Sequence, residues 1–224
     1  MALIVNFEGN DGSGKGVQFK LLQERLAAEN VDVFALSFPD LETELGREID
    51  EMLHSDKSPD PYEMATMYAK NRIERLPEIR AAMGRGAVLL FDRYVPSNIV
   101  FQTERVEGAA KQLSMRHWIT DMEYRWNGLP EPDLTIVLAV NAKVARLNML
   151  GRDPRANVES LDIIEKDTAL QERAVAAYDA LCQEHPDTYQ KVDCVDERLG
   201  RMRDSDVIHA EVWSLVARKL GIEH

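Results

Sequence analysis

A short apolar run, Leu3 to Phe7, leads straight into Glu8-Gly9-Asn10-Asp11-Gly12-Ser13-Gly14-Lys15. Few folds use that order. Glycines let the backbone curl so that successive N–H groups converge on one point. A helix starting behind such a curl adds partial positive charge at the same point. The order strand, glycine loop, lysine, helix is that of the phosphate-binding motif G-x-x-x-x-G-K-[ST], in which the lysine reaches the β- and γ-phosphates. Residues Gly9 through Lys15, with Gly16 and Val17 after them, are therefore the candidate ATP-binding residues. One position departs. Gly16 stands where the motif has a hydroxyl for Mg²⁺, so the metal must rely on phosphates, water and a nearby carboxylate.

The rest of the chain repeats the alternation. Apolar runs at 3–7, 31–38, 88–91, 134–140 and 189–192 are short and rich in branched residues. Most are continuous rather than alternating, as in strands buried on both faces of a parallel sheet. Helical patterns at 15–29, 41–53, 62–83, 111–126, 142–150, 161–184 and 205–220 separate them, with Asp40 as an N-cap candidate and Gly84 and Gly86 as stops. Such alternation predicts a doubly wound α/β domain. With 224 residues, 45% hydrophobic, and no repeat or linker, one domain over 1–224 is expected. Residues 151–159, GRDPRANVE, are polar and basic between two helices and read as a mobile loop. Residues 193–204 read as a surface loop, and Trp118, Trp126 and Trp213 as packing residues.

A net charge of −12 gives a nucleic-acid partner no help from the global field. Cys182 and Cys194 make no disulfide framework, and the five histidines form no zinc spacing. No apolar stretch approaches the ~20 residues of a membrane span, and the N-terminus lacks signal-peptide character. A soluble cytoplasmic protein, with no membrane and no nucleic-acid partner, is the expectation.

The segment AVLLFDRYVPSNIVFQ delivers Asp92 and Arg93 at the carboxyl end of a buried strand, where parallel sheets bind ligands. Asp92 suits a metal or its water. Arg93 suits an acceptor phosphate, because a planar fork matches phosphate oxygens. Asp11 and Asp40 are further carboxylates for the metal.

At this point the chain resembles the thymidylate kinases, a group of the P-loop nucleoside-monophosphate kinases. The matching pieces are FEGNDGSGK, SFPD followed by TELG, ATMYAKNR, FDRYVPSN-x-x-FQ, GLPEPDL and DIIEKD, in the family's order over roughly residues 2–180. The resemblance implies a three-layer P-loop kinase fold, a five-stranded parallel sheet flanked by helices and a short lid at about 151–160. It implies transfer of the ATP γ-phosphoryl group to dTMP with Mg²⁺, and a homodimer. It places Asp11 facing the acceptor's sugar and α-phosphate, Phe38 and Pro39 in the acceptor pocket, and Tyr68 stacked on thymine. It sets Arg72 on the base, Arg93 on the acceptor phosphate, and Ser97 and Asn98 beside the base. Phe101 falls where a tyrosine commonly blocks a ribose 2′-hydroxyl, and Gln102 matches the glutamine that follows. Asp162 and Glu165 fall near the acceptor's sugar and its metal, with Ile164 in place of a frequent tyrosine.

Tyr68 and Arg72 are four apart and share a helix face, which offers a ring and a forked donor to a base with two carbonyls. The phosphate loop carries no arginine, so Arg152 and Arg155 in the lid are the candidate charges on the migrating phosphoryl group, with Arg146 a third. Metal candidates are Asp11, Asp92 and Glu165; Lys15, Asp11, Arg93, Arg152 and Arg155 are the catalytic set. Two other readings stand beside this one. The acceptor could be another pyrimidine monophosphate, such as dUMP or a modified dUMP, since a methyl group is worth only ~1–3 kcal/mol. Or Gly16 marks a nucleotide-binding protein that has lost transfer.

Overall fold

A computed structural model describes residues 2–55, 59–152 and 161–222. The expected sheet is present. Strands β1 (Leu3–Glu8), β2 (Val33–Ser37), β3 (Val88–Asp92), β4 (Leu134–Ala139) and β5 (Tyr189–Asp193) pair in the order β2-β3-β1-β4-β5, every pairing parallel. β1 is central and buried at all six residues, which explains its continuous apolar run. β2 lies at an edge, and its burial is only partial.

Helices cover both faces. α1 (Lys15–Ala28) and α10 (Ser205–Leu220) pack on one side, where Phe7, Leu22, Leu26, Val212 and Val216 form one core cluster. On the other, α3 (Pro61–Glu74), α4 (Leu76–Gly84), α5 (Val95–Thr103) and α6 (Ala109–Thr120) pack around Leu89, Phe91, Tyr94 and Ile119. This is the three-layer α/β arrangement that the alternation predicts.

Several boundaries differ from the sequence expectation, each for a local reason. The helix expected over 62–83 breaks at Arg75, because Pro77 has no N–H to continue the ladder. The helix expected over 161–184 divides into α8 (Ile163–Lys166) and α9 (Thr168–Glu184), since Asp162 and Asp167 each cap a new start. Thr43, not Asp40, caps α2 (Glu44–Leu53). α5 was not expected, because all nine of its residues are buried and no amphipathic period marks it. Residues in the 193–204 stretch form a small antiparallel hairpin, β6 (Val195–Asp196) with β7 (Arg201–Met202), rather than a plain loop. Trp126 is 67% exposed and is not a packing residue. The expected helix over 111–126 continues α6 into a wider turn, Asp121–Trp126, in which the Asn127 N–H donates to the Met122 carbonyl five residues back at 3.0 Å.

α7 (Ala142–Arg152) runs toward the segment expected to be the lid. Residues 153–160, Arg155 among them, lie outside the described residues, so the lid expectation rests on the sequence.

Candidate active site

β1, β3 and β4 end at the same edge of the sheet, and the phosphate loop crosses that edge between β3 and β4. Two of its glycines are required by contact. A Cβ on Gly12, whose φ is +81°, would stand 2.1 Å from the Ala145 carbonyl oxygen of α7. One on Gly9 would stand 2.7 Å from the Leu138 carbonyl. The loop thus sits directly against β4 and α7, and Asn148 Nδ2 donates to the Gly12 carbonyl at 2.6 Å. Lys15 starts α1 and turns back over the loop, donating to the carbonyls of Gly9 and Asn10, each at 3.0 Å. Burial, and then the nearby Arg93 charge, hold its ammonium down to about 8 despite Asp11, Asp92 and Glu8.

Two cavities open at this edge. One, of about 230 Å³, is lined by Phe38, Pro39, Tyr68, Arg72, Ser97, Asn98, Phe101, Gln102 and Asp162, together with Asp11 and Arg93. Every expected acceptor-binding residue except Glu165 is there. The other, of about 300 Å³, is lined by Gly12, Gly14, Lys15, Gly16, Asp92 and Glu165, again with Asp11 and Arg93. Glu165 therefore sits on the phosphate-loop side. Gly9, Asn10, Ser13 and Val17 do not line this second cavity. Gly9 instead offers its carbonyl to Lys15 and, at 3.3 Å, to Arg93. Of Arg152 only the backbone, at the end of α7, is described.

The two cavities share Asp11, Phe38 and Arg93 as a common wall. Arg93 adopts φ +63°, in the left-handed region that an L side chain rarely takes. Its N–H is held by the Phe7 carbonyl at 3.0 Å. Nη2 donates to Asp11 Oδ1, and Nη1 donates to Ser97 Oγ at 3.0 Å. Burial opposes the Arg93 charge, but Asp11, then Tyr178 and Glu8, push its pKa up. For Asp11, burial raises the pKa, and Arg93 and Lys15 outweigh it, so its carboxyl lies below the ordinary range.

Below this wall, the carboxylate of Glu8 is wholly buried. It accepts from Ser97 Oγ at 2.5 Å, Tyr178 OH at 2.7 Å and the Tyr94 N–H at 3.0 Å. It ties β1 to the start of α5 and so fixes where Ser97, and through it Arg93, can stand. At the far end of the first cavity Arg72 is 2% exposed. Its Nε donates to Glu123 Oε2 at 2.7 Å, and its Nη2 to Glu123 Oε1. Burial works against its charge, and Glu123 more than restores it.

Asp40 is not in the metal region. It accepts from Arg75 Nε at 2.5 Å and lines neither large cavity. Sequence reasoning missed Glu8, Glu123, Gln171 and Met202. Gln171 Nε2 reaches Asp11 Oδ2 at 3.4 Å, and the Met202 methyl lies 3.6 Å from where a Cβ on Gly14 would be. The leading glutamate of FEGNDGSGK is a signal that could have found Glu8. Glu123 stands in the wider turn after α6, and nothing in its neighbourhood in sequence marks it.

The same assignment follows from comparison. A family model described as "Thymidylate kinase" matches residues 7–198. A thymidylate kinase of Exiguobacterium sp. is 31% identical over 210 residues, covering 88% of this chain and 92% of the relative. One of Mycobacterium tuberculosis is 31% identical over 181 residues, covering 79% and 84%. The human thymidylate kinase is 29% identical over 193 residues, covering 86% and 82%. With the phosphate loop, the parallel sheet and two cavities joined at Asp11 and Arg93, this chain belongs to the thymidylate kinase family.

Proposed function

We propose that the chain, as a single domain over 1–224, transfers the γ-phosphoryl group of ATP to dTMP, giving dTDP. The observation that carries this is the shared wall. A nucleotide monophosphate in the first cavity and a triphosphate on the loop would meet at Arg93 and Asp11. In the acceptor, the base lies by Tyr68, Arg72 and Asn98, the sugar by Phe101 and Asp162, and the phosphate on Arg93. Phe101 lines the same cavity, and its ring would be the group that excludes a further hydroxyl on the sugar.

Phosphoryl transfer asks for positioning and for charge on the migrating group rather than a covalent intermediate. Arg93 turns one acceptor oxygen toward the donor. Lys15 and the loop N–H groups hold the β- and γ-phosphates. Arg152 and Arg155 would supply positive charge to the migrating group.

Mg²⁺ fits the second cavity. A Cβ on Gly16 would have Asp92 Oδ2, at 3.9 Å, as its nearest neighbour, so a carboxylate faces open space beside the lysine. Among the described residues no group of three or more His, Cys, Asp or Glu could hold a metal. A cation that keeps most of its waters and takes one carboxylate suits such a site. Asp92 would hold it, with Asp11 and Glu165 within the same cavity. When bound, the metal neutralises charge on the β- and γ-oxygens. The homodimer is also part of this reading, and Trp126 and Leu113, 67% and 54% exposed, give a second copy apolar surface to cover. Among the described residues no helix is long and apolar enough to cross a membrane; a cytoplasmic location is part of the proposal.

ADP release from Mg·ATP against dTMP, dUMP, UMP, dCMP, dGMP and AMP is the test. Turnover with dTMP well above the rest is expected. Arg152→Ala and Arg155→Ala are each expected to lower kcat by ~10³-fold, the low end for an arginine on the transferring group. Nucleotide binding without turnover of any acceptor would overturn the reading.

A further inference from the structure

The buried face of α9 is made of Leu170, Ala174, Tyr178 and Leu181, and it carries one amide, Gln171, which is 4% exposed. A buried amide is tolerated where its hydrogens are taken. Gln171 Nε2 donates to the Ile164 carbonyl at 3.1 Å and to Asp11 Oδ2 at 3.4 Å. Both partners are acceptors with no proton to give. The amide therefore has one sensible orientation, with its NH₂ toward them. It joins the backbone of α8 to the carboxylate that stands in the wall between the two cavities.

α8 has little of its own to keep it in place. It is four residues long with none of them buried, and a helix of one turn is not stable by itself. Two sets of contacts seat it. Ile163 and Ile164 pack on the cluster of Ile49, Leu53, Met64 and Met67 from α2 and α3. Gln171 holds its backbone from the other side, at Asp11. Yet this short element serves both cavities. Ile164, and Asp162 at the N-cap, line the first, and Glu165 lines the second. A nucleotide in either cavity meets α8 in its seated position, so seating it for one seats it for the other. Such an element couples two sites when it also has an unseated arrangement, and the tie through Gln171 favours the seated one.

We propose that Gln171 is a positioning residue that couples the two nucleotide sites: by tying α8 to Asp11, it makes each nucleotide strengthen the binding of the other. Gln171 itself lines neither large cavity, so its effect passes through Asp11 and α8. This rests on the reading that ATP and dTMP are the two ligands.

The test is calorimetric titration of dTMP into the full chain with Mg²⁺, alone and with saturating adenylyl imidodiphosphate, a triphosphate that cannot pass on its γ-phosphoryl group. The wild-type chain is expected to bind dTMP ~10-fold more tightly with the analogue present, and by reciprocity the analogue ~10-fold more tightly with dTMP present. Gln171→Leu keeps the bulk and loses both hydrogen bonds. It is expected to bind each ligand alone within about threefold of the wild type, with the coupling reduced to less than about twofold. Gln171→Glu sets a carboxylate against two acceptors. It should lose the coupling at about pH 8 and regain part of it at about pH 5.5, relative to the wild type at the same pH, as the acid protonates and can donate again. A merely structural role would change the single-ligand affinities and leave the ratio between them intact. Undiminished coupling in Gln171→Leu overturns the proposal, as does a wild-type chain in which neither ligand affects the other, or a Gln171→Glu chain with no recovery at low pH. Should neither variant fold, the wild-type chain carries the test by NMR. The Gln171 NH₂ must then exchange at least ~10-fold more slowly in the ternary complex than with either ligand alone, and equal rates overturn the proposal. Wild-type turnover of another monophosphate in place of dTMP would instead sink the acceptor reading, and the coupling would be measured with that monophosphate and judged by the same ratios.

Discussion

Arg93 and Asp11 are ion-paired across the ends of β3 and β1, and the pair forms the wall between the two cavities. The arginine is held from three sides, by Asp11, by Ser97 Oγ at 3.0 Å and by the Gly9 carbonyl at 3.3 Å. Under the proposed reading, an acceptor phosphate entering the first cavity would meet a guanidinium already oriented, with the loss of side-chain freedom met on folding rather than on binding. Arg93→Lys keeps the charge but cannot reach Asp11 and Ser97 together. It is expected to lower kcat/KM for dTMP by ~100-fold while leaving ATP binding within a few-fold, checked by steady-state kinetics and by calorimetry with ATP.

Lys15 gives the site a pH signature. In the free chain its ammonium is held down to about 8, first by burial. Triphosphate charge beside it would raise that value in the complex. Below about pH 8 the lysine is charged in both states and affinity is flat. Above it, the free chain has lost a proton that the complex still carries. ATP affinity is therefore expected to fall by about tenfold per pH unit above that point, with proton uptake on binding. Calorimetry at pH 8.5 in buffers of different ionisation heat reads the uptake directly, and Lys15→Arg should abolish it.

Gly16 can be refilled. It is exposed, its φ is not in the left-handed region, and outside its own helix a Cβ there would meet only Asp92 Oδ2 within 4 Å, at 3.9 Å. Gly16→Thr restores a hydroxyl beside that carboxylate. The concentration of Mg²⁺ for half-maximal activity is expected to fall severalfold, and Mn²⁺ binding to the ADP complex, followed by electron paramagnetic resonance, should tighten in step.

The Glu8 carboxylate joins β1 to α5 through Ser97, Tyr94 and Tyr178. All of these groups donate. Glu8→Gln would press an NH₂ against one of them in a fully buried site. A loss of about 2–4 kcal/mol in urea unfolding is expected, and kcat should fall as well because Ser97 also holds Arg93.

Much of this protein was legible in its residues, and the reason is locality. The glycines at 9, 12 and 14 encode a curl whose geometry depends on its own backbone and the strand and helix beside it. The continuous apolar runs encode strands buried on both faces of a parallel sheet, while the five-stranded kinase core is what the family resemblance implies. Tyr68 and Arg72 share a face because they share a helix. Breaks at Pro77 and Asp167 were also local, and a stricter reading of proline and capping chemistry would have found them. What the tertiary structure alone decided are the pairings between distant segments. Arg72 meets Glu123 across 51 residues, Ser97 meets Glu8 across 89, and Arg93 meets Asp11 across 82. A buried charge is tolerable only with its partner in place, and which partner arrives depends on how the strands are ordered and how a helix turn is widened. Short-range sequence patterns carry no information on that choice, so the residues that line the two cavities could be named from the sequence, while their buried partners could not.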